Sequence, residues 1–397
     1  MFNKLNKKWL VVLMSLLLVT AVIFTACSTT TTTTEATTNQ PNSTTQPIST
    51  TTTSVITTPV QTTTTTTTAL PIVSLTGAGS TFGAPLYSSM FAAYDTLTGI
   101  QVNYQAVGSG AGITAITNGT VDFGASDAIM TSAQDAAAQA ASGPILAIPT
   151  TMGAVAISYN IPSLGNYQLK LTGAVLANIY LKNITYWDDP AITALNPGAN
   201  LLHTAIAVVH RSDSSGTTFI FTNYLSQISS QWSTQVGNAT SVNWPGDLGG
   251  SGSAGVAADV QQTPGAIGYI ELAYAIQNKM PVALMQNSSG NYIAPSLTSA
   301  SEAADGVTIP ASTLIMITNS SNPNAYPIVG FTWILVFQNQ KNQVKGQEIV
   351  NLLWWMLHDG QQYCNPLTYP TLPASAVTVA EAEINSITYN GQPLQHN

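Results

Sequence analysis

The sequence predicts an α/β protein built as two lobes. Three observations carry that expectation. Short apolar strand-like runs alternate with helical segments along the chain, the pattern of largely parallel sheets covered by helices. From Pro71 to Asn397 the composition is that of a folded domain for 327 residues, more than one core usually covers. Three strand ends run into a Gly/Ser/Thr turn and then a helix: "GAGSTFG" (77–83), "VGSGAGI" (107–113) and "RSDSSGTTF" (211–219).

Two segments precede the folded part. The leader "MFNKLNKKWLVVLMSLLLVTAVIFTAC" (1–27) places lysines first, then 18 residues from Trp9 to Ala26 that are mainly apolar, then Cys27. That order is a secretory signal, and the run is also at the lower edge for a membrane span. A cleaved signal and an uncleaved anchor therefore both remain open, and both place the rest of the chain outside the cell. Residues 28–70 are mostly threonine and cannot form a packed core. As a stalk they would reach about 35–40 Å when coiled and about 130 Å when extended.

The expected elements then follow in order. "IVSLTGAG" is a strand into a glycine turn, and "FGAPLYSSMFAAYDTLTG" a helix closed by Gly99. "IQVNYQAVG" is a strand, "GAGITAITNG" a short helix ended by Gly119, and "VDFGAS" a strand. The helix "AIMTSAQDAAAQAA" comes next, with Asp127 just ahead of it. "AIPTTMGAVAIS" (147–158) and the region near Tyr326–Val329 are the two expected crossings between lobes. "AIAVVH" and "GAIGYIE" are strands, "TTFIFTNYL" is a helix, and "PIVGFTWILVF" is a final strand. The lobes are then 71–151 plus 328–397, and 152–327.

Charge narrows the function. Three of the nine Lys+Arg lie in the leader, so six face 17 Asp+Glu in the remainder, a net charge of −11. Such a chain does not bind nucleic acid through a basic face. An anion would have to be held by a local site. Arg211 is the only arginine in 397 residues, and its planar fork suits two oxygens of an oxyanion. Asp213 is placed to steady it by a salt bridge. Helix starts after glycine-rich turns offer unpaired N–H groups and partial positive charge to the same kind of ligand. Ser and Thr at such places also serve as plain N-caps. Asp127 has two readings: an N-cap, or a carboxylate that accepts a proton from phosphate and repels sulfate, which carries none near neutral pH. No cysteine or histidine spacing calls for a metal, no cofactor is implied, and Cys364 reads as a small buried hydrophobe.

Six segments carry a resemblance: "LTGAGSTFGAPLY", "VNYQAVGSGAG", "VDFGASDA", "YLKNITYWDDPAITALNPG", "IAVVHRSDSSGTTFIFTNYL" and "PGAIGYIELAYA". In this order they resemble the phosphate-binding protein of bacterial and archaeal ABC phosphate importers. The resemblance implies a two-lobed periplasmic-binding-protein type II fold with a hinge of two crossing strands. It implies that Thr81, the backbone of Phe82, Ser109, Asp127, Arg211, Ser215, Gly216 and Thr217 contact phosphate, with Asp213 supporting Arg211. It also implies a permease and an ATPase as partners, and the ending "FTAC" resembles a lipoprotein signal, with Cys27 lipidated on the outer face of the membrane. His210 stands where many members have a second basic residue, Gly83 stands for a proline and should loosen its turn, and 284–325 has no clear counterpart.

Two rival readings stand beside this one. His210, Asp213 and Ser215 have the residue types of a triad, but three groups within six residues of one turn do not align as one, and His203 and His358 read as ordinary apolar positions. No catalysis is expected. The other rival is a surface binding protein or sensor for another oxyanion with no transport role.

Overall fold

The computed structural model describes residues 73–246 and 248–396. The leader, Cys27 and the threonine-rich stretch lie outside the described residues. The first half contains β1 (Ser74–Gly79), α1 (Ala84–Thr98), β2 (Gln101–Ala106), α2 (Ser109–Thr117), β3 (Phe123–Ser126), α3 (Ser132–Ser142) and β4 (Ile145–Tyr159). After β5 (Lys170–Leu171), α4 (Gly173–Tyr180) and α5 (Pro190–Thr193) come β6 (Ala207–Arg211), α6 (Gly216–Ile228) and α7 (Ser230–Gln235). The next stretch holds β7 (Leu248–Gly250), α8 (Gly252–Gln262), β8 (Ala266–Glu271), α9 (Leu272–Gln277), β9 (Leu284–Gln286), β10 (Tyr292–Ile293) and α10 (Leu297–Ser301). The chain closes with β11 (Val329–Phe337), β12 (Asn339–Gln340), α11 (Gln343–Leu357), α12 (Ala374–Asn385), β13 (Thr388–Tyr389) and β14 (Gln392–Pro393).

Eight strands form one sheet in the order β2-β1-β3-β11-β4-β8-β6-β7. The flanks, β1 with β2 and β3 and β6 with β7 and β8, are parallel. The two central strands run antiparallel to their neighbours. β4 is shared lengthwise: Ile145–Ala154 pairs with β11, and Val155–Tyr159 pairs with β8. The predicted crossing at 147–158 is this strand. Its partner β11 begins at Val329, at the edge of the predicted region 326–329. Both long strands are almost wholly buried, in keeping with their mainly apolar and non-alternating sequences.

The β4–β11 ladder shifts register at Thr332/Trp333, opposite Pro149. Proline has no N–H for the ladder, and a bulge is where a sheet tolerates it. The shift falls where Thr332 meets Asp127, so a sheet irregularity sits beside the site described below.

One expected element starts elsewhere. The helix read from Ala128 begins at Ser132, with Thr131 as N-cap in a capping box with Gln134. Asp127 is therefore not a cap, and it is free for other work. Residues 284–325 contain β9, β10 and α10, and Asn287 Nδ2 ties this stretch together by donating to the carbonyls of Pro323 and Ala325. Cys364 is buried, and burial pushes its thiol up to about 12, as an inert core position requires. The two histidines read as apolar positions are instead polar. His203 Nδ1 faces Asp188 at 3.0 Å, and His358 Nε2 faces Glu381 at 2.9 Å. Among the described residues no helix is long and apolar enough to cross a membrane.

Candidate functional site

The three strand–turn–helix junctions converge. β1 ends at Gly79, whose φ of +142° and whose approach to the Ala125 carbonyl leave no room for a Cβ. The turn Ser80–Gly83 follows. Its Gly83 amide, which a proline would lack, donates to Ser80 Oγ at 3.1 Å. α2 starts at Ser109 after Gly108, which has a φ of +95° and where a Cβ would lie 2.4 Å from the Asp213 carboxylate. α6 starts at Gly216 after Ser215, whose Oγ accepts from the Thr218 amide at 3.1 Å. The N-cap reading of Ser215 thus holds for its lone pair, and its hydroxyl proton remains available as a donor.

Arg211 closes β6 with its side chain only 1% exposed. Nε donates to Asp213 Oδ1 at 2.7 Å, Nη2 to Asp213 Oδ2 at 2.5 Å, and Nη1 to Thr217 Oγ1 at 3.2 Å. A guanidinium has five N–H donors, so two remain for a ligand. Asp213 Oδ1 also accepts from the Gly252 amide at 3.0 Å. Burial pushes the Asp213 carboxyl up, but the Arg211 hydrogen bonds and charge outweigh it and hold it below its usual value.

Asp127, at the end of β3, is 1% exposed. Ser80 Oγ (2.5 Å) and Thr332 Oγ1 (2.7 Å) donate to its Oδ1, and Ser109 Oγ lies 3.4 Å from Oδ2. Burial pushes its carboxyl up to about 6, against the pull of these donors and of the Arg211 charge. Ser109 Oγ also accepts from the Asp127 amide and from the Gly216 amide, both at 3.1 Å. That one hydroxyl joins α2, β3 and α6. Thr81 Oγ1 accepts from the Ser253 amide at 3.3 Å and lies 3.2 Å from Ser253 Oγ. Phe82 is fully buried.

These contacts link Ser109, Asp127, Arg211, Asp213, Gly216 and Thr217, with Ser215 capping the same helix; Thr81 joins them through Ser253, next to the Gly252 amide held by Asp213, and Phe82 follows Thr81 in the turn. Sequence reading missed Ser80, Thr332, Gly252 and Ser253. A signal existed for the last two, since "LGGSG" (248–252) before α8 is a fourth strand–turn–helix junction. Thr332 left none. His210 does not face the site. Its Nδ1 lies 3.0 Å from the Arg211 carbonyl, and its ring stacks on Trp244 at 4.9 Å. His210, Asp213 and Ser215 thus engage the Arg211 backbone, the Arg211 side chain and the Thr218 amide, not one another.

Chemically, the site offers one guanidinium fork, helix N-termini, hydroxyl donors and one carboxyl that can accept a proton. That set fits a small oxyanion carrying at least one proton. Gly216 is a close packing point between α6 and β3: a Cβ there would lie 2.4 Å from Ser109 Oγ and 2.5 Å from Asp127 Oδ2. Gly216→Ala is expected to force α6 away from β3 and cost about 1–3 kcal/mol of stability, read from thermal melts of purified protein.

Known proteins share this sequence and fold. A family model described as a PBP superfamily domain matches residues 28–359. A phosphate-binding protein PstS of Xylella fastidiosa is 41% identical over 312 residues, covering 78% of this chain and 84% of its own. The PstS of the archaeon Methanocaldococcus jannaschii is 38% identical over 309 residues, covering 72% of this chain and 79% of its own. Among solved structures, a phosphate-binding protein from Stenotrophomonas maltophilia superposes with a TM-score of 0.62 at 19% identity, covering 78% of this chain and 93% of that one. That likeness concerns the fold.

Proposed function

The chain belongs to the PBP superfamily and, within it, to the phosphate-binding proteins of ABC phosphate importers, and on that premise we propose that it captures inorganic phosphate outside the cell and delivers it to such an importer. The observation that carries this reading is the meeting of Arg211, held by Asp213, with the buried, proton-accepting Asp127. Phosphate near neutral pH has both the negative oxygens that Arg211 and the helix N-termini take and a proton that Asp127 takes.

The residue roles follow. Thr81, the backbone of Phe82, Ser109 and Asp127 hold the ligand from one lobe (71–151 plus 328–397). Arg211, Ser215, Gly216 and Thr217 hold it from the other (152–327). β4 and β11 are the crossings about which the lobes close, so ligand bound to both sides favours the closed form. The permease would recognise that form, and an ATPase subunit would drive transport. Cys27 would carry the lipid anchor and residues 28–70 the stalk, on the outer face of the membrane. The protein is a binding component and not an enzyme, a reading supported by the separate partners of His210, Asp213 and Ser215.

Calorimetric titration of ligand-stripped protein with phosphate and then sulfate, from pH 5 to 8, tests this. Micromolar or tighter phosphate binding without sulfate binding near neutral pH is expected. Equal binding of both anions at pH 7.5 removes Asp127 from the site. Absence of phosphate binding removes the transport reading and leaves a sensor or scaffold on the same fold.

A further inference from the structure

Behind the Thr81–Phe82 turn, two consecutive backbone carbonyls are each held by a tyrosine hydroxyl. Tyr274 on α9 donates to the Thr81 carbonyl at 2.9 Å, and Tyr369 donates to the Phe82 carbonyl at 2.6 Å. Both contacts trace back to Glu271. Its Oε2 accepts from the Ala273 amide at 2.7 Å as the N-cap of α9, and it lies 3.1 Å from the Tyr369 hydroxyl. Glu271 ends β8 opposite Val155 of β4, just past the point where β4 leaves β11 for β8. In the lobe assignment proposed above, Glu271 and Tyr274 belong to 152–327, whereas Phe82 and Tyr369 belong to the other lobe.

The Tyr369 hydroxyl has one proton and two acceptors near it. Its nearer acceptor is the Phe82 carbonyl, so the Glu271 contact closes best when Glu271 itself carries a proton and donates it to Tyr369. The rest of the surroundings agree. Glu271 is fully buried, and its Oε1 is buried with no hydrogen-bond partner among the described residues. That is costly for a carboxylate oxygen and much less so for a neutral one. Burial raises its carboxyl well above the usual value, and the charge of Asp127 raises it further. The Ala273 and Tyr274 amides and Tyr369 pull the other way.

We propose that Glu271 is a positioning residue for the anion site: as a neutral acid it donates to Tyr369, which donates to the Phe82 carbonyl, so that the Thr81–Phe82 turn is braced from across the hinge. This rests on the phosphate-binding reading of that turn. When Glu271 ionises at alkaline pH, the Tyr369 proton turns to the carboxylate, the Phe82 carbonyl loses its donor, and the turn slackens. A glutamine with Nε2 toward Tyr369 keeps an N–H donor for it at every pH, at the loss of an acceptor for the Ala273 amide.

Phosphate affinity of the full chain, measured by calorimetry from pH 6 to 9.5 for the wild type, Glu271→Gln, Glu271→Leu and Tyr369→Phe, tests the proposal. Ratios to the wild type at each pH cancel the titration of phosphate and of Asp127. Glu271→Gln, which gives up the Ala273 cap at every pH, should bind no more tightly than the wild type at pH 6 and gain about three- to tenfold on it toward the alkaline end. Glu271→Leu and Tyr369→Phe should bind about tenfold more weakly than wild type at pH 6, with that gap closing as pH rises. A ratio of Glu271→Gln to wild type that stays constant over the range overturns the proposal, as does wild-type affinity in Tyr369→Phe at pH 6. If Glu271→Gln does not fold, Tyr369→Phe alone decides. A wild type that binds no phosphate overturns the functional reading first, and this inference with it.

Discussion

Arg211→Ala should lower phosphate affinity by roughly three orders of magnitude while the protein stays folded. Arg211 is the only arginine of the chain, its side chain is almost wholly out of water, and three of its five N–H donors are already committed to Asp213 and Thr217. The two that remain would be charge-assisted donors to a desolvated anion. Truncating one partner of such a buried pair typically costs about 2–5 kcal/mol or more, and each 1.4 kcal/mol is a factor of ten in affinity. Stability should fall less. Asp213 keeps the Gly252 amide and is less deeply buried than Arg211, so the cost is on the order of 1–3 kcal/mol. Arg211→Lys should recover charge without the fork and land between the two. Calorimetry gives the affinities, and thermal melts in phosphate-free buffer report the fold. A variant that melts like the wild type and still binds phosphate as tightly would remove Arg211 from the site.

Asp127→Asn should abolish the discrimination between phosphate and sulfate. In the proposed site near neutral pH, a buried carboxylate would face the ligand and need a proton from it. A site built around a ligand's O–H rejects an analogue lacking it by about 10⁴-fold or more, and here the mismatch also sets charge against charge. An amide donates as well as accepts, so sulfate binding should rise at least about a hundredfold. The wild type should approach the same behaviour as pH falls, because Asp127 takes up its own proton near pH 6 and can then donate to sulfate. Sulfate titrations from pH 5 to 8 check this: wild-type affinity should climb below about pH 6, and that of Asp127→Asn should stay flat.

The same group makes a prediction for the ligand-free fold. Its carboxyl is raised from 3.8 to about 6. Its contribution to stability is therefore fully present below the unfolded value and is lost as pH rises through about 6. Ligand-free Asp127→Asn should match the wild type near pH 3.5 and exceed it at pH 7 by about 3 kcal/mol. Denaturation at the two pH values reads the difference, and equal gaps at both would show that ionisation is not its cause.

Much of this site was legible along the chain because its parts are local. A glycine followed by Ser or Thr ahead of an apolar helix encodes its own junction, since backbone freedom, capping and helix start are all decided within a few residues. The Arg211–Asp213 pair spans two positions on one turn, so its geometry was also local. The central strands were legible as long, mainly apolar segments, in keeping with their burial in the middle of the sheet. One local competition stayed open along the chain: Asp127 was an eligible cap, but Thr131 with Gln134 makes the better capping box and starts the helix four residues after Ala128.

What the sequence by itself determined was the fold class, the junctions and the identity of the charged groups. The tertiary structure alone decided what surrounds those groups. Asp127 receives donors from Ser80, 47 residues before it, and from Thr332, 205 residues after it. Thr81 meets Ser253 across 172 positions, and Tyr369 reaches Phe82 across 287. His210 is turned onto Trp244, behind the strand end that aims Arg211 inward. No periodicity or spacing records such pairings, because they form only when sheet order and register bring distant strand ends together. The burial that raises the carboxyls of Asp127 and Glu271 is a property of the assembled core and of no segment within it.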